Sequence, residues 1–365
     1  MNMDDRSYHG IRASRDRGSS ERSEVMGGVA ACGDFVTVAG IDCGTNSIRL
    51  KVSRVFADGH GEDVVPRMLR VIRLGQGVDE NHRFSDEALM RAYEAAEEFS
   101  RVLKEHPVDG IRFVATSATR DAANKDEFES RIEDILGVRP EVIPGVEEAS
   151  LSFLGATSVV PRTGLEAPYL VVDLGGGSTE LVLGGDGDSA PATDVVSAYS
   201  MNIGSVRMTE RHLLSDPPTD AQIDAAVKDI DSHVDEAFEH VPVGRAHTII
   251  GVSGTVTTMT ALVLGLTKYD HRAVDGVRVS YHDVFAVDDA FLRMTRAERS
   301  SYGTIHPGRV DVVGGGALVW NRLLAKVAEA AWRDHGQHID SFVSSDHGLL
   351  DGIILDFGRR LLENR

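Results

Sequence analysis

The chain has 365 residues, 42% of them hydrophobic and 26% charged, which suits two domains that each bury a core. No run approaches the roughly 18 uninterrupted apolar residues of a spanning helix, and a net charge of −19 excludes a nonspecific nucleic-acid binder, which is ordinarily basic along one face. The two cysteines, Cys32 and Cys43, form no CxxC pair and have no partner histidine at metal spacing, so neither a disulfide framework nor a structural zinc is expected and the cytoplasm is the expected compartment.

Residues 1–33, rich in Arg, Ser, Gly and Asp, lack the apolar segment of a secretory signal and read as a disordered extension. From Val36 three strand-like runs follow one another, VTVAGID, SIRLKVSRVF and VVPRMLRVIRL, separated by Gly or Asp turns. Asp86 to His106 carries apolar residues at helical spacing (Leu89, Tyr93, Ala96, Phe99, Leu103), and GIRFVATSA follows as a buried strand. Asp126 to Leu136 reads as a helix, EVIPG as a strand and Val146 to Thr157 as a further helix, which closes a first unit near residue 160.

The joint VVPRTGLEAP leads into YLVVDLGGGSTELVLGG, where the chain starts over. IDCGTNSIRL and VDLGGGSTELVL share an apolar residue, Asp, one spacer, Gly, small hydroxyl residues and a second strand, which suggests two structurally related domains. Helices at Thr219 to Glu239 and Gly254 to Leu264, a strand at HTIIGV, a helix opened by Gly314-Gly315-Gly316, a strand at IDSFVSS and a helix at HGLLDGIILDFGRRLLE complete the second unit. The last helix has an apolar face (Leu349, Leu350, Ile353, Ile354, Phe357, Leu361) and should pack onto a domain. The expected organisation is therefore 34–160, completed by 346–365, and 161–345.

In both hairpins an Asp ends a buried strand and a Gly lets the next turn present its N–H groups, which suits phosphate. Gly44, Thr45, Asn46 and Ser47 in the first loop, and Gly175, Gly176, Gly177, Ser178 and Thr179 in the second, supply N–H and hydroxyl donors, while Asp42 and Asp173 can hold Mg²⁺ directly or through water. Three consecutive glycines cost chain entropy unless the backbone must approach something closely. Such a site has to reverse the negative average charge of the surface locally, with metal ions, arginines and backbone N–H groups.

IDCGTNSIRL, ATSATRDAANKDEF, VIPGVEEASLSFLGA, VVDLGGGSTELVLG, IGSVRMTERHL with DPPT, and IIGVSGTVTTMTAL together resemble the ordered motif series of the exopolyphosphatase and guanosine pentaphosphatase family, from about Val36 to the end. The resemblance implies an α/β architecture of two ribonuclease-H-like domains, the fold of actin-like ATPases, with the active site in the cleft between them. It implies removal of terminal phosphate from inorganic polyphosphate, with guanosine pentaphosphate as the alternative substrate. Mg²⁺ is the implied cofactor, with Mn²⁺ or monovalent K⁺ as alternatives, and neither nucleic acid nor a membrane is an implied partner, while a homodimer stays open.

By the same resemblance Glu148 is the base that activates or positions water, Glu147 its solvated or structural neighbour, and Glu180 a second acid beside Asp173 that orients water or metal. Arg120 is an implied phosphate binder, with Arg207 and Arg49 weaker candidates on loops of the same kind, since a guanidinium fork grips phosphate bidentately. Gly251 to Thr255 resembles the loop that holds adenosine in nucleotide-binding relatives, with Ser253 in place of a commoner small residue; either a purine or a polyphosphate tail is open there, and Gly254 and Thr255 are placed in the phosphate-binding set. The Gly314–Gly316 helix matches the superfamily's second interdomain connecting helix, where close backbone packing permits hinging. Longer members carry a C-terminal helical module, and a chain ending near the second core domain is expected to hold very long polyphosphate less well. A nucleotide-gated actin-like switch or a kinase is the more distant alternative, and neither would need Glu148 as a dedicated water-handling group. His271, His282, His306, His335, His338 and His347 lie at no metal-binding spacing, and Cys43 is expected to be a small buried strand residue.

Overall fold

The protein is described by a computed structural model that covers residues 34–159, 164–185 and 194–365. The expected extension at 1–33 and part of the joint at 159–168 fall outside the described residues. Two mixed sheets organise the rest. The first contains β1 (Phe35–Cys43), β2 (Ser47–Phe56), β3 (Gly61–Val71), β4 (Gly110–Ala115) and β5 (Glu141–Val142) in the order β3-β2-β1-β4-β5. β1, β2 and β3 form an antiparallel meander, and β4 and β5 add parallel to it. Pro66, which cannot donate to a ladder, is tolerated because β3 is an edge strand.

The second sheet repeats this plan. β6 (Tyr169–Leu174), β7 (Thr179–Gly184) and β8 (Val195–Met201) form its meander, β9 (Thr248–Val252) and β11 (Ser341–Ser344) add in parallel, and β10 (Val277–Ser280) pairs antiparallel at the far edge. Two copies of one topology match the structurally related units expected from the paired hairpins and the ribonuclease-H-like fold that the resemblance implies. Each sheet has its own core: Ile41, Leu50, Phe99 and Phe113 are buried in the first, and Leu170, Ile249, Trp320 and Phe342 in the second.

The crossover from β3 to β4, which lays β4 parallel to β1, is made by the helix Asp86–Glu105, which Ser85 starts by accepting the Ala88 N–H at 3.2 Å and which buries Leu89, Ala92, Ala96 and Phe99. Two helices cross between the halves. The helix Gly145–Ala156 lays Ala149, Phe153 and Ala156 against Tyr169, Val171, Val182 and Ile250 of the second sheet. The terminal helix Leu349–Glu363 returns to the first sheet, with Ile354 packed on Val36, Val38 and Val55. These two helices touch backbone to backbone: a Cβ on Gly155 would lie 2.0 Å from the Gly348 carbonyl oxygen, and one on Gly352 would lie 1.9 Å from that of Leu151.

This contact relocates the expected connecting helix. The helix Val313–His335 that opens with Gly314–Gly316 packs on the helices Ser205–His212, Asp220–His240, Ser253–Val263 and Tyr281–Arg293, all on the second sheet. The strand expected across GIRFVATSA stops at Ala115, because the chain turns there into a short helix, Ser117–Asp121, and the strand expected at EVIPG pairs over Glu141–Val142 alone. Among the described residues no helix is long and apolar enough to cross a membrane.

Candidate active site

Both glycine loops end strands of their sheets at the same place. The parallel neighbours of β1 and β6 end beside them, so every turn that leaves the sheets there opens toward the space between the halves. The loops approach closely: a Cβ on Gly177 would lie 2.7 Å from Thr45 Oγ1 and 2.8 Å from Ser117 Oγ, so a larger residue would push the halves apart. The cleft between them, about 710 Å³, is lined by Asp42, Gly44, Thr45, Asn46 and Ser47 from one half. Asp173, Gly175, Gly176, Gly177, Ser178, Gly254 and Thr255 line it from the other.

Glu148 reaches the same cleft from the first turn of the helix Gly145–Ala156. It is 6% exposed, and Arg120 donates to its Oε2 at 2.8 Å while also donating to the Ile143 carbonyl at 2.9 Å. Burial raises the Glu148 carboxyl to a pKa of about 7 against the pull of Arg120, and Asp173 and Asp42 add to the rise. Glu147, its neighbour, is partly exposed and pairs with Arg112 at 2.7 Å. Asp42 pairs with Arg49 at 3.0 Å, and Ser152 donates to Asp173 Oδ2. Burial raises both aspartates above the usual carboxylate range, with Arg49 opposing in each case.

Four candidates stand off the cleft wall. Thr179 turns its hydroxyl to the Ile203 carbonyl at 2.8 Å, because alternation along β7 puts it on the face opposite Ser178. Glu180 lies opposite Asp173 in the ladder, is 1% exposed, and accepts from Ser200 at 2.8 Å; burial, then the charges of Glu148 and Asp173, push its pKa well above normal. Arg120 reaches Glu148 rather than the cleft. Arg207 is engaged by Asp79, by Asp121 at 2.6 Å and by the Gly177 carbonyl at 2.8 Å, which ties the halves together and leaves no fork for phosphate.

Sequence reasoning missed Thr116, Ser205 and Arg309, which also line the cleft, and Ser152 behind it. Arg309 stands on the wall shared with an adjoining chamber of about 1420 Å³, and burial, followed by the nearby charge of Arg49, lowers its pKa to about 10. Leu69, Tyr269, His271, Ile305, His306 and Pro307 line that chamber, so two of the scattered histidines do face a cavity. Ser253, on the wall of both, holds a φ of 82°, a left-handed conformation that a non-glycine residue adopts at a cost of about 1–3 kcal/mol. Cys43 is buried, and burial drives its thiol pKa upward, away from nucleophilic reactivity.

Three buried carboxylates, Asp42, Glu148 and Asp173, line the cleft with a fourth, Glu180, behind Asp173, while Arg49 is bonded to Asp42 and Arg120 to Glu148. That surplus of hard oxygen donors fits a divalent cation. Among the described residues no three His, Cys, Asp or Glu side chains converge to cage a metal unaided. Mg²⁺ requires no such cage, since one or two carboxylates commonly hold it together with substrate phosphates and water.

Known proteins resemble the chain over most of its length. Exopolyphosphatase 2 of Mycobacterium tuberculosis is 43% identical over 326 residues, 87% of this chain and 97% of that protein. A crystal structure of an exopolyphosphatase-like protein superposes with a TM-score of 0.88 at 74% identity, covering 90% of this chain and 99% of that one. An Aquifex aeolicus structure from the Ppx/GppA family, 28% identical, has a TM-score of 0.71 over 91% of this chain and all of its own. The model of the Ppx/GppA phosphatase family matches residues 55–356, and the chain belongs to that family.

Proposed function

We propose that the protein is an exopolyphosphatase that releases terminal phosphate from inorganic polyphosphate by in-line attack of water. The observation that carries this reading is Glu148, a buried carboxylate held by Arg120 at the edge of a cleft walled by two glycine loops. With a pKa of about 7, its carboxylate can accept a proton from water near neutral pH. The N–H groups of Thr45 to Ser47 and Gly176 to Ser178 would hold the terminal phosphate, those of Gly44 and Gly175 being donated to the Ser47 and Ser178 carbonyls at 3.0 and 2.9 Å, and Arg49 and Arg309 would offset the charge of the following phosphates. Asp42 and Asp173 would hold a divalent cation, which when bound neutralises charge on the phosphate oxygens. Glu180 would act from behind Asp173. The chain would divide into 34–160 with 346–365, and 161–345, closing on the substrate between them.

Guanosine pentaphosphate is the second reading, favoured by the chamber beyond Arg309, whose Leu69, Tyr269, Ile305 and Pro307 suit an uncharged ring. The test is phosphate release with Mg²⁺ from polyphosphates of defined length, guanosine pentaphosphate and ATP in parallel. Polyphosphate turnover that falls about 10²- to 10⁴-fold in Glu148→Gln is expected. Preference for guanosine pentaphosphate would favour the second reading, and activity on ATP alone would exclude both.

A further inference from the structure

Ser152 lies one turn after Glu148 on the helix Gly145–Ala156 and is fully buried. A serine inside a helix ordinarily turns its hydroxyl to the carbonyl four residues back. Its neighbours do so: Ser150 donates to the Val146 carbonyl at 2.9 Å and Thr157 to that of Phe153 at 2.8 Å. Ser152 departs from this habit and donates across to Oδ2 of Asp173 at the end of β6. Asp173 lines both the cleft and the chamber, so the contact is made at the boundary of the site.

We propose that Ser152 is a positioning residue: its hydroxyl occupies Oδ2 of Asp173, so that Oδ1 is the oxygen presented to the divalent cation in the cleft. Because Glu148 and Ser152 share a helix face, the same hydrogen bond fixes the water-handling carboxylate relative to Asp173. The helix packs on the second sheet, against Tyr169 and Val171 of β6 itself, and without this bond Asp173 would be free to rotate about χ1 and χ2 in a polar cleft. The inference rests on the reading of Asp173 as a ligand to the cation.

The experiment compares the full-length protein with Ser152→Ala and Ser152→Thr, measuring Mn²⁺ binding by calorimetry, steady-state polyphosphate hydrolysis and the melting temperature without metal. Ser152→Ala should bind Mn²⁺ about tenfold or more weakly, as for other lost partners of metal-ligating groups. Its kcat should fall while KM for polyphosphate stays near the wild-type value, and Ser152→Thr, which keeps the hydroxyl, should recover both. Wild-type Mn²⁺ affinity in Ser152→Ala overturns the proposal, as does a lowered kcat that tracks only a lowered metal-free melting temperature. Absence of Mn²⁺ binding by the wild-type protein overturns it too. If the wild type binds Mn²⁺ but leaves polyphosphate intact, the exopolyphosphatase reading fails while the Mn²⁺ comparison still decides the role of Ser152.

Discussion

Glu148 is held in an environment that works against its own ionisation, and this has a measurable consequence for folding. Burial lifts its pKa from an ordinary value near 4.5 to about 7 in the folded, metal-free protein, and the charges of Asp173 and Asp42 act in the same direction. Between those two values the folded chain keeps a proton that the unfolded chain has released. The folded state binds more protons there, so its stability falls as pH rises from about 4.5 to about 7. Glu148→Gln removes this titration. Denaturant unfolding without metal at pH of about 5 and about 8 should therefore show the wild type losing on the order of 3 kcal/mol more than the variant across that window. Equal losses in the two proteins would mean that the carboxylate is already ionised on the acid side. The same residue shows how far sequence reaches: the motif around it singles out Glu148 from Glu147, and the structure separates them physically, one facing the cleft and the other paired with Arg112.

The helices Gly145–Ala156 and Leu349–Glu363 carry the two halves past each other, and their closest approach is set by Gly155 and Gly352. A methyl at Gly352 would meet the Leu151 carbonyl oxygen at 1.9 Å and its carbon at 2.6 Å, both backbone atoms that no rotamer change can move. Gly352→Ala should force the helices apart and destabilise the protein by about 2–3 kcal/mol, read as a drop in melting temperature, whereas Gly59→Ala, where nothing lies within 4 Å, reports only the backbone strain of its φ of 83°. A Gly352→Ala melting temperature no lower than that of Gly59→Ala would refute the close approach. The existence of both helices is legible in the sequence; their partners are not. Gly145–Ala156 buries Ala149 and Phe153 against the second sheet and Leu151 against Ile143 and Ile353, so it is apolar on more than one side and its pattern names no single neighbour. Strands are more legible, since the glycine turns and β-branched runs of β1, β2, β6 and β7 mark their own ends. Thr179 shows the limit: adjacency to a phosphate loop suggests it, but its hydroxyl turns to the Ile203 carbonyl, while Glu180, implied by the resemblance alone, lies behind Asp173 and accepts from Ser200. Arg309 and Ser152 meet the site only through tertiary folding, from positions with no local phosphate motif.

At the scale of the whole molecule, the cleft is bounded on one side by the crossing helices and on another by ion pairs that span it. Arg207 and Arg211, from the helix Ser205–His212 on the second half, both bond Asp79 on the first, the latter at 2.5 and 2.9 Å. Glu210 of the same helix accepts the Gly77 N–H at 3.2 Å, and Arg73 reaches Asp311 at 3.0 Å. Arg207, a candidate phosphate binder, is instead bonded to Asp79 and Asp121 of the first half, and a negative surface gains no open phosphate site from it. Asp79 is the common acceptor, with its side chain 19% exposed and that of Arg207 11%, so these pairs are screened less than surface ones. Losing hydrogen bonds to a charged group costs about 1.5–3 kcal/mol, which corresponds to about a tenfold or larger shift in a closing equilibrium. Asp79→Ala should accordingly populate an open form, seen in small-angle scattering of the substrate-free protein as a larger radius of gyration. Substrate must then spend binding energy on closing the cleft, so KM for polyphosphate should rise about tenfold with kcat little changed, because Glu148, Asp42 and Asp173 are untouched once the cleft is shut. Unchanged scattering together with an unchanged KM would show that the glycine-loop contacts alone keep the halves together; a fall in kcat at constant KM would instead place Asp79 among the groups that act on the reacting phosphate.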